Sequence, residues 1–333
     1  MAKNSNLISA SVNKNDEFYT GYDDIEKELI HYSRHFKGKK IYCNCDDHNG
    51  IGLGTPKSNF IKYLSDNFQA FGIKKVIATH YEKDKISKKY ILDKDNTGDN
   101  IICIEDVMET PMNGDGDFRS EECMELLKES DIVITNPPFS LFREYLAQLI
   151  KYKKKFIIIG NKNAITYKEI FLLIRDNKLW TGNTPFGKDL LFDLPDWFAE
   201  EIKKNKKEGS GYRIVNGVIK GRSQSIWFTN LDHKKRHDIL DTGKKYKGYE
   251  KSYPEYDNYK AINVDKVTDI PMDYKGVMGV PITFLDKYNP EQFEINGIDR
   301  YVEDNPNYGH RFTIKGKETY ARILIKKKKT GGK

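Results

Sequence analysis

Four consecutive residues, Asn136-Pro137-Pro138-Phe139, carry the clearest chemistry in the sequence. They directly follow an apolar stretch, DIVIT, whose composition is typical of a buried strand. Two adjacent prolines stiffen the turn and remove two backbone donors, so the carbonyls and the Asn136 amide oxygen remain as acceptors. A planar amino group offers two hydrogens to such a pair, and Phe139 can stack on the ring that bears it. The alternative is an ordinary surface turn after a strand.

The elements that must position this motif alternate between strand and helix. Apolar runs predict five strands, at 40–45, 75–79, 100–104, 131–135 and 156–160. Apolar residues at spacings of three and four predict helices at 23–36, 59–71, 120–129 and 141–152. Short connections and near-continuous apolar strands favour an α/β protein with a parallel sheet covered on both faces. In such a sheet ligands bind beyond the carboxyl ends of the strands, which is where Asn136 lies.

Composition limits the class of protein. The 333-residue chain is 38% hydrophobic and 32% charged, which suits a globular protein and excludes a collagen or a fully disordered chain. No apolar stretch approaches the roughly 18 residues of a membrane span, and the N-terminal residues hold no apolar core typical of a secretory signal, so we expect no secretory signal and a cytoplasmic protein. The four cysteines match no zinc pattern, so we expect buried reduced thiols and no metal site; a redox or metal pair at Cys43 and Cys45 is the alternative.

The charge is distributed unevenly along the chain. Residues 1–150 hold 19 Lys+Arg and 25 Asp+Glu, whereas residues 151–333 hold 37 and 24. A basic half that is rich in Gly, Pro, Lys and Tyr indicates contact with a polyanion. We expect the consecutive residues His233, Lys234, Lys235 and Arg236 to face phosphate, with lysine clusters at 151–155, 203–207 and 244–247 beside them. Tyrosines recur from 246 to 259 and either pack or touch the ligand.

The motif at Asn136 resembles the catalytic motif of S-adenosylmethionine-dependent amino methyltransferases. More narrowly, the chain resembles the EcoRI-type adenine-specific DNA methyltransferases of restriction–modification systems. The stretches that carry this resemblance span most of the chain: NDEFYT (15–20), KIYCNCDD (40–47), GDGDFRS (114–120), TNPPFSLFREY (135–145), IIIGNKNAITYKEIF (157–171), WFTNLDHKKRH (227–237) and VMGVPITFLDKYNPEQFEI (277–295). The resemblance implies transfer of a methyl group from S-adenosylmethionine to the exocyclic amino group of an adenine flipped out of duplex DNA.

The resemblance also implies roles for single residues. Asn136 and the Pro137 carbonyl would accept hydrogen bonds from the target amino group, Pro138 would complete the turn, and Phe139 would stack on the flipped base. The cofactor would lie against residues from four segments, namely Phe18, Tyr19, Thr20, Asn44, Asp46, Asp47, Asp106, Asp117 and Phe118. Asp117 and Asp106 are alternatives for holding the cofactor adenine.

This sequence departs from the usual methyltransferase pattern in two places. The glycines at 50, 52 and 54 come later than a tight Gly-x-Gly loop would, and a lone glycine-rich loop is weak evidence. At the end of the second strand His80 stands where an acidic residue usually holds the ribose, and Glu82 is displaced. The ribose contact is therefore left open, and His80 is either a general base or an exposed loop residue.

These observations together predict a Rossmann-like S-adenosylmethionine methyltransferase sheet with a basic, irregular C-terminal DNA-recognition region. We expect a catalytic domain over 1–230, a target-recognition region over 231–325 and a basic tail over 326–333. The partner would be double-stranded DNA, a cognate nuclease would be encoded separately, and the chain would act as a monomer. The alternatives are an amino methyltransferase for cytosine, RNA or protein glutamine, and a non-catalytic DNA-binding protein on the same scaffold.

Overall fold

The computed structural model describes residues 19–46, 58–94, 102, 104–194, 196–302 and 308–328. Seven α-helices lie among them: α1 (Tyr22–Leu29), α2 (Asn59–Asp66), α3 (Phe68–Phe71), α4 (Glu121–Glu129), α5 (Phe142–Lys151), α6 (Lys168–Arg175) and α7 (Asp196–Asn205). The strands in the same ranges are β1 (Tyr19–Thr20), β2 (Lys40–Cys43), β3 (Lys75–Thr79), β4 (Lys88–Asp93), β5 (Met108–Pro111), β6 (Ile132–Thr135), β7 (Lys155–Asn161), β8 (Trp180–Thr181), β9 (Leu190–Asp193), β10 (Tyr212–Val215), β11 (Val218–Ser223), β12 (Ser225–Thr229), β13 (Ile262–Asn263), β14 (Met278–Pro281), β15 (Phe293–Ile298), β16 (Thr313–Ile314), β17 (Lys317–Glu318) and β18 (Arg322–Lys327). No described helix is long and apolar enough to cross a membrane.

The chain divides into two compact units. The sheet unit comprises Met1–Lys162 and Gly187–Leu231, and the C-terminal unit comprises Asn163–Phe186 and Asp232–Lys333. The last segment of the C-terminal unit begins at Asp232, one residue after the predicted start of the target-recognition region at 231. The division differs from the prediction in placing 163–186 with the C-terminal unit instead of the catalytic domain.

The larger sheet of the sheet unit has the order β5-β4-β3-β2-β6-β7-β12. Its four central strands, β3, β2, β6 and β7, run parallel, and β4, β5 and β12 are antiparallel to their neighbours. The central strands are apolar because both of their faces are covered, and all four residues of β6 are buried. The chain leaves β2 toward β3 on one side and later returns to β6 on the other, so a crevice opens at the carboxyl ends of β2 and β6. The Rossmann-like fold predicted from the sequence is confirmed.

Helices pack against this sheet through the apolar positions that the sequence predicted. The residues Ile25, Leu29, Tyr32 and Phe36 are fully buried in one core cluster with β2 and β3 residues. The predicted helix over 23–36 is divided, because α1 ends at Leu29 and a 3-10 helix continues over Ile30–His35. A second, antiparallel sheet of order β1-β9-β11-β10 holds the N-terminal strand.

The predicted strand at 100–104 is wrong at the residues that the structure describes. Ile104 begins a 3-10 turn over Ile104–Asp106, and most of the predicted strand at 100–104 lies outside the described residues. The sheet is extended instead by the antiparallel strands β4 and β5. The sequence signal for β4 is weak because its residues alternate between buried and half-buried positions at the sheet margin.

The C-terminal unit is built from short elements. Its main sheet has the order β13-β14-β18-β15, and β16 and β17 form a separate hairpin. The interior residues Ile323, Leu324 and Ile325 of β18 are fully buried, because β18 lies between β14 and β15. Much of the remaining backbone forms 3-10 turns, in agreement with the irregular pattern that the sequence shows beyond Trp180.

Candidate active site

The Asn136 motif lies at the carboxyl end of β6, as the sequence predicted. Asn136 is 8% exposed, Pro137 is buried, and Pro138 and Phe139 are half-buried. The Pro138 carbonyl accepts a hydrogen bond from the Leu141 N–H at 3.0 Å, which starts the 3-10 turn Phe139–Leu141 and leads into α5. The turn is therefore fixed at both ends, by a buried strand before it and by a helix after it. The Phe139 ring packs partly against the core cluster of the sheet unit.

Asp46 joins the ends of three elements around the crevice. Its carboxylate accepts a hydrogen bond from the Thr135 hydroxyl at 2.8 Å and one from the Ser58 hydroxyl at 2.8 Å. Its backbone N–H donates to the Thr79 carbonyl at the end of β3, at 3.0 Å. Thr135 directly precedes Asn136, and Ser58 caps the first turn of α2 by accepting from the Phe60 N–H. Asp46 thus ties the Asn136 motif to the end of β3 and to the start of α2. Asp47 and the glycines at 50, 52 and 54 lie outside the described residues.

Asn44 and Phe118 meet at the side chain of Tyr145. The Tyr145 hydroxyl, on α5, donates to the Asn44 amide oxygen at the end of β2. Burial raises the pKa of Tyr145 well above its ordinary value, so the phenol stays protonated and remains a donor. The Phe118 ring meets the Tyr145 ring edge-on, with 5.2 Å between centroids. Asn44 is 2% exposed and Phe118 is 5% exposed, so both are held by packing.

The two acidic candidates for the cofactor adenine have different surroundings. Asp117 accepts from the Arg119 backbone N–H at 2.8 Å and from two guanidinium nitrogens at 2.8 and 2.6 Å. The Arg119 hydrogen bonds lower the pKa of Asp117, and they occupy three of its roughly four acceptor positions. Asp106 is half-buried in the turn Ile104–Asp106, whose neighbours Ile104 and Val107 pack against the core.

The N-terminal candidates lie close to the start of α2. The Thr20 carbonyl accepts from the Asn59 side-chain amide at 2.7 Å, and Thr20 is 2% exposed. Tyr19 and Thr20 form β1, which pairs with β9 in the register Tyr19↔Asp193 and Thr20↔Phe192. Since Ser58 precedes Asn59, this strand lies beside the helix start that holds Asp46. Phe18 lies outside the described residues.

His80 is 6% exposed and therefore not the exposed loop residue of one sequence interpretation. Its Nε2 lies 2.9 Å from Glu82 Oε1, and this hydrogen bond lowers the pKa of Glu82. Gly116, at φ +77°, packs against the same turn, where an added Cβ would lie 2.0 Å from the His80 carbonyl oxygen. The hydrogen-bonded pair of His80 and Glu82 therefore lies directly after the end of β3.

The expectation that 233–236 form one phosphate-facing surface is wrong for three of the four residues. His233 is 3% exposed, its Nε2 lies 3.0 Å from the Thr181 carbonyl, and burial lowers its pKa to about 4. The Arg236 guanidinium lies 3.6 Å from the Trp180 ring centroid and donates to Asn177. Lys235 bonds to the Asn183 carbonyl at 3.0 Å and pairs with Asp286. Lys234 alone of the four is exposed.

The sequence did not single out four residues that position the site: Ser58, Asn59, Thr135 and Tyr145. Ser58 had a usable signal, because a serine directly before a helical pattern is a preferred N-cap. The partners of Thr135 and Tyr145 lie 89 and 101 residues away in the chain, and no local pattern indicates them.

Comparison with known proteins identifies relatives over the whole chain. The family model described as "Adenine-specific methyltransferase EcoRI" matches residues 6–328. The Type II methyltransferase M.EcoRI of Escherichia coli is 47% identical over 340 residues, which cover 98% of each chain. The Type II methyltransferase M.MpnI of Mycoplasma pneumoniae is 36% identical over 332 residues, which cover 95% of this chain and 96% of that protein. No solved structure matches the chain.

Proposed function

Because the chain belongs to the EcoRI family of adenine-specific methyltransferases and is a Type II DNA adenine methyltransferase, we propose that it methylates the exocyclic amino group of an adenine flipped out of duplex DNA, with S-adenosylmethionine as the methyl donor. The observation that carries this proposal is the position of Asn136, at the carboxyl end of β6 and one residue after the Thr135–Asp46 hydrogen bond. That position is where ligands bind in an open α/β sheet.

The Asn136 amide oxygen and the Pro137 carbonyl accept hydrogen bonds from the two N–H groups of the target amino group. Together they draw the nitrogen lone pair out of conjugation with the ring and direct it toward the methyl group. The cofactor, when bound, supplies an electrophilic methyl on a sulfonium. Catalysis is then mainly orientation and stabilisation of charge that develops on the amino nitrogen. No covalent intermediate with the protein is required.

The residues of the crevice fit such a cofactor. Thr20 Oγ1 is buried and makes no hydrogen bond within the part of the chain that the structure describes, so it is available to a ligand. The cofactor's charged and polar groups would be held by Thr20, Asn44 and Asp46, with Tyr19 beside them. Its adenine would lie near Phe118, with Asp106 or Asp117 as the carboxylate that accepts from its amino group; Arg119 already engages Asp117. Phe18 and Asp47 complete the proposed set from outside the described residues.

Phe139 provides the platform for the flipped base. Its half-buried ring follows the stiff Pro-Pro turn and is anchored on one side by the core cluster. Removing a paired base from the duplex costs a few kcal/mol, and stacking on an aromatic ring offsets roughly 1–3 kcal/mol of that. Every base has a π-face that can stack on such a ring, whereas a glutamine amide has none.

The C-terminal unit supplies the contact with DNA. It holds 24 Lys+Arg and 18 Asp+Glu, so it carries a net charge of +6 of the chain's +7. Long-range attraction of the duplex therefore acts mainly on this unit. In the same proposal the enzyme acts as a monomer in the cytoplasm, and a separately encoded nuclease cleaves the sequence that this enzyme protects.

The proposal is tested by incubating the protein with cofactor labelled in the methyl group and with unmethylated bacterial DNA. Digestion of the DNA to nucleosides should place the label in N6-methyl-2′-deoxyadenosine. Label in N4-methylcytosine, or in added RNA or protein instead of DNA, would identify another substrate. Binding of DNA without any label transfer would identify a non-catalytic protein.

A further inference from the structure

The lysines of loop 243–253 in the C-terminal unit are exposed and form no ion pair with a described carboxylate, unlike most of the residues at 233–236. Lys244, Lys245, Lys247 and Lys251 are all exposed. None of the four ammonium groups forms an ion pair with a described carboxylate, whereas Lys235 in the predicted cluster is paired with Asp286. Four exposed cations within eight residues concentrate positive charge on this loop, which attracts an anionic partner.

The backbone of this loop is held in place by contacts that leave the lysine side chains outside. The Asp273 carboxylate accepts from the Tyr246 N–H at 2.6 Å and from the Lys247 N–H at 3.2 Å. The Tyr246 ring packs against Tyr274 and Tyr253, with centroid distances of 4.5 and 5.8 Å. The Met272 N–H donates to the Lys244 carbonyl at 2.9 Å. An anchored backbone loses little entropy when a ligand binds, so the ordering cost is limited mainly to the lysine side chains.

A cleft of about 680 Å³ opens beside the loop, and Lys244, Lys245, Tyr249 and Tyr253 line it. Asp265 and Asp269 line it too. Asp265 already pairs with the Arg322 guanidinium at 3.2 Å, which offsets its charge. Two ammonium groups therefore face one carboxylate whose charge is not offset among the described residues, and an anionic ligand is favoured.

Tyr249 gives the cleft a neutral donor next to its cations. Its side chain is 64% exposed, whereas Tyr253 and Tyr256 are 7% and 6% exposed and pack in the interior. Lysine ammonium groups and tyrosine hydroxyls are both common donors to the phosphate oxygens of DNA. We propose that this cleft binds the sugar-phosphate backbone of duplex DNA, with Lys244 and Lys245 on phosphates and the Tyr249 hydroxyl on a neighbouring backbone oxygen. This inference rests on the proposed function, because it assigns the DNA contact of the same enzyme.

The test is the salt dependence of binding to a fluorescent duplex of random sequence, measured by anisotropy. Each lost phosphate contact lowers the slope of log affinity against log salt by about 0.9. The double variant Lys244→Gln/Lys245→Gln should lower the slope by about 2, and each single variant by about 1. Tyr249→Phe should weaken binding several-fold without changing the slope, because it removes a neutral donor.

The matched control is Lys315→Gln/Lys317→Gln, which removes the same charge from exposed residues of the same unit. The control should keep the wild-type slope. An equal loss of slope in both doubles would show an effect of net charge alone and overturn the site. A wild-type slope in the Lys244/Lys245 double would also overturn it. If the wild-type protein neither binds nor methylates DNA, the proposed function fails; if it does both, only the cleft is at issue.

Discussion

The two units hold their polar side chains in different ways. In the sheet unit, Asp46 and Asn136 lie at the carboxyl ends of parallel strands, so the direction of the chain alone places them at one crevice. In the C-terminal unit, 3-10 turns and short strands give no such rule, and the consecutive residues Lys234 and Lys235 differ in burial and pairing. Regular backbone makes sequence position informative, whereas irregular backbone leaves each side chain to its tertiary contacts.

Removing the Asn136 side chain gives the strongest test of the proposed role of this strand-end residue in methyl transfer. Asn136→Ala should slow methyl transfer by about a hundredfold or more, because one positioned acceptor for the reacting amino group is lost. Single-turnover kinetics with labelled cofactor measure the change. The matched control Asn161→Ala removes an amide from the end of the neighbouring parallel strand β7 and should retain a near wild-type rate. A wild-type-like rate for Asn136→Ala would reject its assignment.

Phe139→Ala should slow methylation by roughly ten- to hundredfold on a fully paired site, since the stacking platform offsets roughly 1–3 kcal/mol of the cost of base flipping. A mismatch opposite the target adenine lowers that cost and should partly restore the rate. Substituting 2-aminopurine for the target adenine reports flipping by fluorescence. If the variant is merely less stable and the mismatch restores nothing, Phe139 is only a core residue.

His233 gives the C-terminal unit a pH dependence of known sign. Burial holds its pKa at about 4, against an ordinary value of 6.5, so the unfolded state binds the proton more readily. Its contribution to stability is therefore lost as the pH falls from 6.5 toward 4, by about 2 kcal/mol at pH 5. Urea unfolding at pH 7.5 and pH 5 should show a smaller difference for His233→Gln, which keeps a donor to the Thr181 carbonyl. Equal differences in both proteins would contradict the burial.

Arg236 and Lys234 provide a direct contrast within one predicted cluster. Arg236→Ala should lower the free energy of unfolding by about 2 kcal/mol, because it removes the stacking on Trp180 and the hydrogen bond to Asn177. Lys234→Ala should change it by less than about 0.5 kcal/mol, since the side chain is exposed. Equal losses of unfolding free energy in the two variants, or a larger loss for Lys234→Ala, would contradict the burial of Arg236.

Thr135→Val should lower the methylation rate about tenfold, because the Asp46 carboxylate loses the donor that connects it to the Asn136 turn. Thr135→Ser keeps a hydroxyl and should restore most of the rate. A structural role alone would lower thermal stability in both variants without the selective rescue of the rate. The expected effect is smaller than that of Asn136→Ala, since Ser58 still holds Asp46.

The sequence by itself determined the sheet unit to a large extent. Strand ends, the Asn136 motif and the apolar positions of α1 follow from periodicity, and periodicity is set by the local geometry of strand and helix. Apolar periodicity is a poor guide at β4, where half-buried residues weaken the strand pattern. It also fails at Ile104, where a short apolar run forms a 3-10 turn.

Only the tertiary structure decided which charged residues are available and which residues hold the motif in place. Nothing local distinguishes His233 and Arg236 from Lys234; the Thr181 carbonyl and the Trp180 ring, more than fifty residues earlier in the chain, bury the first two. The hydrogen bond from Thr135 to Asp46 likewise joins residues 89 positions apart. Such pairings depend on which strands become neighbours. That choice is a property of the whole fold, because burying a polar group is favourable only once its partner has arrived.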